Sequence, residues 1–265
     1  MEIICCQPDI AWENPAANHA QISRLLDAAP SPILPRSLIA LPEMFACGFS
    51  VDKPHAVAES ITGPSVLFLQ ELAKNYQSHV VAGLPISQSS DAPPTNEAII
   101  VSPTGDLVIR YSKVHAFTPA KEDRYFAQGR TPVTVPCNSW LISPAICYDL
   151  RFPELFRHSA TKQNTEIFVV IANWPAVRIH HWITLLRARA IENQAYVAGV
   201  NRCGRDPYHE YSGQSMIVGP TGDVLAEASD QPGLLRAELD HEFISQWRKD
   251  FPALADAKLV ALPHR

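Results

Sequence analysis

Apolar positions along the chain fall into two rhythms that take turns. Glu2 to Cys6 is a short apolar run suited to a strand, and Asn14-Pro15 then opens a segment in which Ile22, Leu25 and Leu26 recur at helical spacing. Ser37 to Leu41 reads as the next buried strand. Thr62-Gly63-Pro64 starts a second helix carried by Leu69, Leu72 and Tyr76, and His79 to Leu84 is a third strand. Strands that alternate with helices predict an α/β sheet.

The segments Ile99 to Ile109 and Met216 to Ala226 are alike: each is an apolar run, a Pro-Thr-Gly-Asp turn and a second run. Proline presets φ for the turn and glycine takes its left-handed position, so both read as hairpins. One hairpin in each half hints at internal pseudo-symmetry, against chance reuse of a good turn sequence. Between them, Leu141 to Ile146 is a strand, and Glu166 to Ala172 is a continuous apolar run fit for a central strand buried on both faces. Asn173-Trp174-Pro175 ends it. A long helix is predicted over Ile179 to Asn193, with Trp182, Leu185, Leu186 and Ile191 on or near one face, followed by a strand at Ala195 to Val200. Leu234 to Leu239 adds a strand, and His241 to Trp247 is helix-like.

With 265 residues, 46% of them hydrophobic, the chain is long enough for one large α/β domain. Its formal charge of -5 includes no basic run, which argues against nucleic acid and points to a small-molecule partner. The six cysteines form no Cys-x-x-Cys pair, and no His-Glu-x-x-His occurs, so no metal site is expected. The N-terminal segment has no basic stretch followed by a long apolar run, and no stretch approaches the roughly 18 apolar residues of a membrane span. A cytoplasmic protein that does not enter membranes is the expectation. The 23 prolines stand at element ends, as at Pro30, Pro32 and Pro35, and Ser87 to Thr95 is the most loop-like stretch.

Chemistry enters at strand ends. In an open α/β sheet, ligands bind outside the carboxyl ends of strands. Cys147 follows Leu141 to Ile146 and leads into Tyr148-Asp149-Leu150-Arg151-Phe152-Pro153; a thiol there is either a nucleophile or a core cysteine. Glu43 follows Leu38 to Pro42, and Lys113 follows the first hairpin. Alone, each has a plain reading, the glutamate as a solvated charge or helix cap and the lysine as an edge charge. Together they suffice for amide hydrolysis: a carboxylate to take the thiol proton, a cation to stabilise an oxyanion and a thiolate to form an acyl intermediate.

Four separated motifs carry a resemblance to the nitrilase, or carbon–nitrogen hydrolase, superfamily. They are Leu41-Pro42-Glu43-Met44-Phe45 with Gly48-Phe49, Tyr111-Ser112-Lys113-Val114-His115-Ala116-Phe117, Cys147-Tyr148-Asp149-Leu150-Arg151-Phe152-Pro153-Glu154, and His181-Trp182 with Arg187 to Val197. The resemblance implies an α/β fold, a four-layer α-β-β-α sandwich with internal pseudo-two-fold symmetry, assembled as a homodimer or larger. It implies Glu43 as general base, Cys147 as nucleophile and Lys113 as oxyanion stabiliser helped by Tyr148 N–H, with no cofactor. Glu122 is the best match to an assisting second glutamate, although Lys121 stands where many relatives carry glycine. No imidazole is required, and His115 is read as structural. The hydrolase domain is expected over 1–240, with a C-terminal helix and tail over 241–265 that packs across a dimer interface.

Asn173-Trp174-Pro175-Ala176-Val177-Arg178, with the helix that follows, resembles the bacterial omega-amidase branch more than the branch acting on deaminated glutathione. That implies a small 2-oxo acid amide such as 2-oxoglutaramate, whose carboxylate an arginine fork would match. Arg178 and Arg151 are the candidates, with Trp174 and Tyr148 as pocket walls; for Arg151 an internal ion pair is the favoured reading, since buried arginines are usually paired. The alternatives are deaminated glutathione, an N-carbamoyl amine or a nitrile as substrate, or a nitrilase-like scaffold without turnover.

Overall fold

Side chains alternate across a strand, and this alternation builds the layers. In β1 (Glu2–Gln7), Ile3 and Cys5 join the core between two sheets, whereas Ile4 and Cys6 join a second core beneath helices. The same division separates Leu38 and Ala40 from Ile39 in β2 (Leu38–Ala40), and Val81 from Val80 and Ala82 in β3 (His79–Ile86). Each such residue is fully buried, a contribution of about 2 kcal/mol for a Val, Leu or Ile side chain. The computed structural model describes residues 1–89 and 91–258.

The first sheet continues through β4 (Thr95–Val101) and β5 (Leu107–Ser112). A second sheet holds β6 (Val135–Cys137), β7 (Trp140–Ile146), β8 (Ile167–Ile171) and β9 (Tyr196–Val200). After the small hairpin β10 (Cys203–Arg205) and β11 (Glu210–Ser212), β12 (Met216–Val218) and β13 (Val224–Glu227) rejoin the second sheet, and β14 (Gly233–Glu238) crosses back to the first. The orders are β14-β1-β2-β3-β4-β5 and β13-β12-β9-β8-β7-β6.

The two sheets are wired alike. The strands β1, β2 and β3 run parallel, as do β7, β8 and β9; the flanking strands on both sides of each trio pair antiparallel. The Pro-Thr-Gly-Asp turns join β4 to β5 and β12 to β13, at equivalent places. Each hairpin shifts register at its equivalent point, between Ile100 and Val101 and between Ile217 and Val218. Helices Pro15–Asp27 and Pro64–Tyr76 cover the first sheet through Ile22, Leu26, Leu69 and Leu72. Helices Pro153–Lys162 and Ile179–Asn193 cover the second through Leu155, Phe156, Trp182 and Leu186. The result is the expected α-β-β-α sandwich, and its pseudo-two-fold symmetry is visible in the pairing itself.

One helical position differs from expectation. Trp182 and Leu186 are buried and Leu185 is partly buried, but Ile191 is 53% exposed. At about 100° per residue, a position nine residues beyond Trp182 points to the opposite side of the helix. Helix His241–Asp250 begins at Asp240, whose side chain caps the N–H groups of Glu242 and Phe243, and it docks on its own chain through Arg248, which donates to Gln194 O and Thr165 O. The part of the expected tail beyond Lys258 lies outside the described residues. No helix among the described residues is long and apolar enough to cross a membrane.

Candidate active site

Glu43, Lys113, Cys147 and Glu122 converge where the two sheets present their strand ends. Glu43 lies on the turn after β2, Lys113 directly after β5, Cys147 directly after β7 and Glu122 on the short helix Glu122–Tyr125. Glu43, Lys113 and Glu122 are almost wholly buried. Lys113 Nζ donates to Glu43 Oε1 at 2.9 Å and to Glu122 Oε2 at 2.9 Å. The remaining Glu43 oxygen, Oε2, accepts from Asn173 N at 2.9 Å, and the Asn173 side chain donates to Glu43 O at 2.7 Å. Glu122 Oε2 also accepts from Phe117 N at 2.6 Å. Burial opposes the charge on Lys113, but Glu122 and Glu43 outweigh it and hold the ammonium above its usual range.

Cys147 occupies a left-handed backbone position, φ 46°, which an L-residue adopts only under constraint. Asp149 supplies that constraint. Its buried carboxylate accepts from Ile146 N at 3.0 Å, Tyr111 Oη at 2.7 Å, His115 N at 2.9 Å and His115 Nδ1 at 2.8 Å. The corner that carries the thiol is thereby tied to the segment that carries Lys113. His115 also stacks on Phe152 at 3.8 Å, in keeping with a structural role. Burial pushes the Cys147 thiol well above its ordinary pKa; Glu43, also its hydrogen-bond partner, and Glu122 add to the rise, and Lys113 opposes it.

Above Cys147 opens a narrow pocket with room for only about 30 Å³ of solvent. Tyr148, Trp174, Arg151 and Arg178, all read from the sequence as substrate-facing candidates, line it. Trp174 is held by Asn201, which accepts from Trp174 N at 2.8 Å, and by its own Nε1, which donates to Arg178 O at 2.8 Å. The expected internal ion pair of Arg151 does not form: among the described residues it meets no carboxylate. Its guanidinium lies 4.8 Å from the Trp174 ring centroid, and Nη2 donates to His181 Nδ1 at 3.2 Å. The physical reason is that Arg151 is only partly buried, so pocket water and an aromatic face offset the charge. His181 is held below its usual pKa by desolvation and by His180, Arg151 and Arg178, which keeps Nδ1 free to accept. Arg178 lies 5.4 Å from the Phe117 ring.

Other site residues were not singled out from the sequence. Asn96 and Asn173 bond to the carboxylates; in the sequence Asn96 stands in the polar Thr95-Asn96-Glu97 stretch that opens a strand, and Asn173 closes another. Phe49, Phe117, His209 and Tyr211 also line the pocket, the last two from the β10–β11 hairpin. That hairpin rests on Arg202, which is fully buried, donates to Asp9 Oδ1 at 3.0 Å and lies 4.4 Å from the Tyr211 ring. No group of three His, Cys, Asp or Glu side chains among the described residues is placed to hold a metal ion.

The fold is that of the nitrilase superfamily. The chain belongs to the carbon-nitrogen hydrolase family, which it matches over residues 3–249. It is 36% identical over 259 residues to the omega-amidase YafV of Escherichia coli (strain K12), covering 97% of this chain and 96% of that one. It is 32% identical over 257 residues to the 2-oxoglutaramate amidase of Bacillus subtilis (strain 168), covering 97% of each. Among solved structures it is similar to XC1258 of Xanthomonas campestris, a CN-hydrolase superfamily protein with an arsenic adduct in its active site. The TM-score is 0.90 at 31% identity, over 99% of this chain and 98% of that one.

Proposed function

We propose that the protein hydrolyses the terminal amide of a small carboxylate-bearing amide, a 2-oxo acid amide such as 2-oxoglutaramate, with Cys147, Glu43 and Lys113 as its catalytic triad. The observation that carries this reading is the buried Glu43–Lys113 pair beside the Cys147 thiol, beneath a pocket whose two arginines meet no carboxylate among the described residues. Glu43 takes the proton from Cys147 as Sγ attacks the amide carbon. Lys113 Nζ and the backbone N–H of Tyr148 stabilise the oxyanion. The C–N bond breaks as Glu43 returns the proton to nitrogen, and ammonia leaves. Water then attacks the thioester, Glu43 takes its proton, and the free acid and the thiol are regenerated. Glu122 assists by holding Lys113. Every group in this scheme is a side chain or a peptide N–H, so no cofactor is called for.

Arg151 and Arg178 receive the substrate carboxylate, and Trp174 and Tyr148 flank its carbon chain. The test is ammonia release from 2-oxoglutaramate, with kcat/KM measured beside deaminated glutathione, an N-carbamoyl amine and a nitrile. A Cys147→Ala protein that releases ammonia at the parent rate sinks the proposal. We further propose a homodimer or larger assembly in the cytoplasm. Ile191, Val224 and Leu225 are apolar and exposed, and sedimentation would check the assembly. The helix at 241–250 and the tail after it are proposed to contribute to that contact.

A further inference from the structure

Asn96 joins the two buried carboxylates, and no step of the reaction above uses it. It sits in β4, 1% exposed, and its carbonyl accepts from Lys113 N at 2.9 Å. Its Nδ2 donates to Glu43 Oε1 at 2.8 Å and to Glu122 Oε1 at 2.9 Å. Lys113 Nζ reaches the same two oxygens at 2.9 and 3.2 Å. Two nitrogens and two oxygens therefore alternate around a closed ring. A carboxamide has two N–H bonds to give, and here each goes to a different carboxylate.

The charges around this ring do not balance. The groups that face it are Lys113 after β5, Glu43 after β2, Glu122 on its short helix and Cys147 after β7; Cys47, on the same turn as Glu43, has its thiol pushed up by burial and by Glu59, Glu13 and Glu43 and donates to Met44 O and Gly48 O. One ammonium serves two carboxylates. Two carboxylates sharing one site take up a proton between them unless donors hold both ionised. The difficulty grows in the reaction itself, because Lys113 must turn an N–H from this ring toward the oxyanion.

We infer that Asn96 is a positioning residue whose amide holds Glu43 and Glu122 side by side as carboxylates, so that Lys113 can serve the oxyanion while Glu43 stays able to accept the thiol proton. The inference rests on the assignment of Glu43 as base. Its strongest test is Asn96→Asp, which keeps the shape but not the capacity. A protonated Asp offers one O–H where two donors are needed, and an ionised Asp offers none and adds a third negative charge. Asn96→Ser, smaller and neutral, provides a second variant where Asn96→Asp does not fold.

The readouts are the acid limb of the kcat/KM profile for ammonia release and the acid limb of Cys147 alkylation by iodoacetamide, which involves no amide substrate. Loss of a charge-assisted hydrogen bond to Glu43 is expected to move both limbs to higher pH by about one unit, and further in Asn96→Asp than in Asn96→Ser. A variant with lower activity or lower Tm but both limbs unmoved makes Asn96 a packing residue and overturns the inference. Glu43→Gln separates the two ideas. An alkylation limb that survives in Glu43→Gln removes Glu43 as the base, and the inference about Asn96 with it. A limb that disappears in Glu43→Gln yet stays fixed in the Asn96 variants leaves the base assignment standing and defeats only the role of Asn96.

Discussion

Gly83 never meets the substrate in the proposed reaction, yet the position of Glu43 depends on it. Its N–H donates to Pro42 O at 3.1 Å and its carbonyl accepts from Phe45 N at 3.1 Å, so β3 grips the Glu43 turn on both sides. A Cβ added at Gly83 would lie 2.5 Å from Glu43 Cα, 2.8 Å from Met44 N and 2.9 Å from Ile171 Cδ1. The first two are backbone atoms and cannot rotate away. Restoring an ordinary contact of 3.4 Å displaces the Glu43 backbone by about 0.9 Å. Misplacement on that scale costs on the order of 100-fold in rate. Overpacking adds about 1–3 kcal/mol of destabilisation, which at about 2–4 °C per kcal/mol lowers Tm by several degrees. Gly83→Ala is therefore expected to lose about 100-fold in kcat/KM for ammonia release, with a fall in calorimetric Tm. Gly219→Ala is the control, because its nearest neighbour would be 3.6 Å away, and both quantities should stay at the parent value. A Gly83→Ala enzyme with parental kcat/KM would refute the claim that this close approach positions the base.

Lys113→Met leaves Glu43 and Glu122 buried without their cation and is expected to cost about 3–5 kcal/mol in urea unfolding, beyond its loss of activity. Asp149→Ala removes the acceptor of the hydrogen bonds that fix the Cys147 corner; activity should fall at least about 100-fold, with a destabilisation of about 3 kcal/mol by the same assay. Burial raises the thiols of Cys5 and Cys137 from 9.0 to about 12 and that of Cys203 to about 11. Their contribution is complete below pH 9.0 and is lost above it, because the unfolded chain then releases protons that the folded chain keeps; the urea midpoint should fall between pH 9.0 and 11. Lys121 adopts φ 59°, so Lys121→Gly relieves a left-handed lysine and should raise Tm, with a gain of about 1 kcal/mol.

Much of this architecture was legible because its signals are local. Runs such as Glu166 to Ala172 announce strands by themselves, and the Pro-Thr-Gly-Asp turns carried the duplication that the pairing of β12 with β13 and of β4 with β5 displays. The convergence of Glu43, Lys113 and Cys147 was legible through strand ends and family motifs. Partners distant in sequence were not. Asn96 reads as one of three polar residues opening a strand, and only the fold brings it to Glu43, 53 positions away, and Glu122, 26 positions away. Arg151 was misread because burial was assumed for a side chain that in fact opens on a pocket. Ile191 was assigned to a buried face by composition, where helical phase puts it outside. Lys121, noted as a departure from glycine, owes that departure's cost to a backbone angle that no residue name displays.

The pairing of β1 with β14 bears on how the protein is made. Register runs from Glu2↔Glu238 to Gln7↔Gly233, while the second sheet is drawn entirely from Val135 to Glu227. At about 5–20 residues per second, β1 leaves the ribosome roughly 10–50 s before its edge partner exists. Throughout that interval Ile3-Ile4-Cys5-Cys6 is an apolar strand with an unpaired edge, the kind of surface that recruits other chains. Translation thus completes the Cys147 sheet first and the sheet bearing Glu43 and Lys113 afterwards. A nascent chain stalled before Gly233 presents a thiol corner whose acid–base partners stand on an unfinished sheet, so quality control meets a sticky intermediate rather than a premature enzyme.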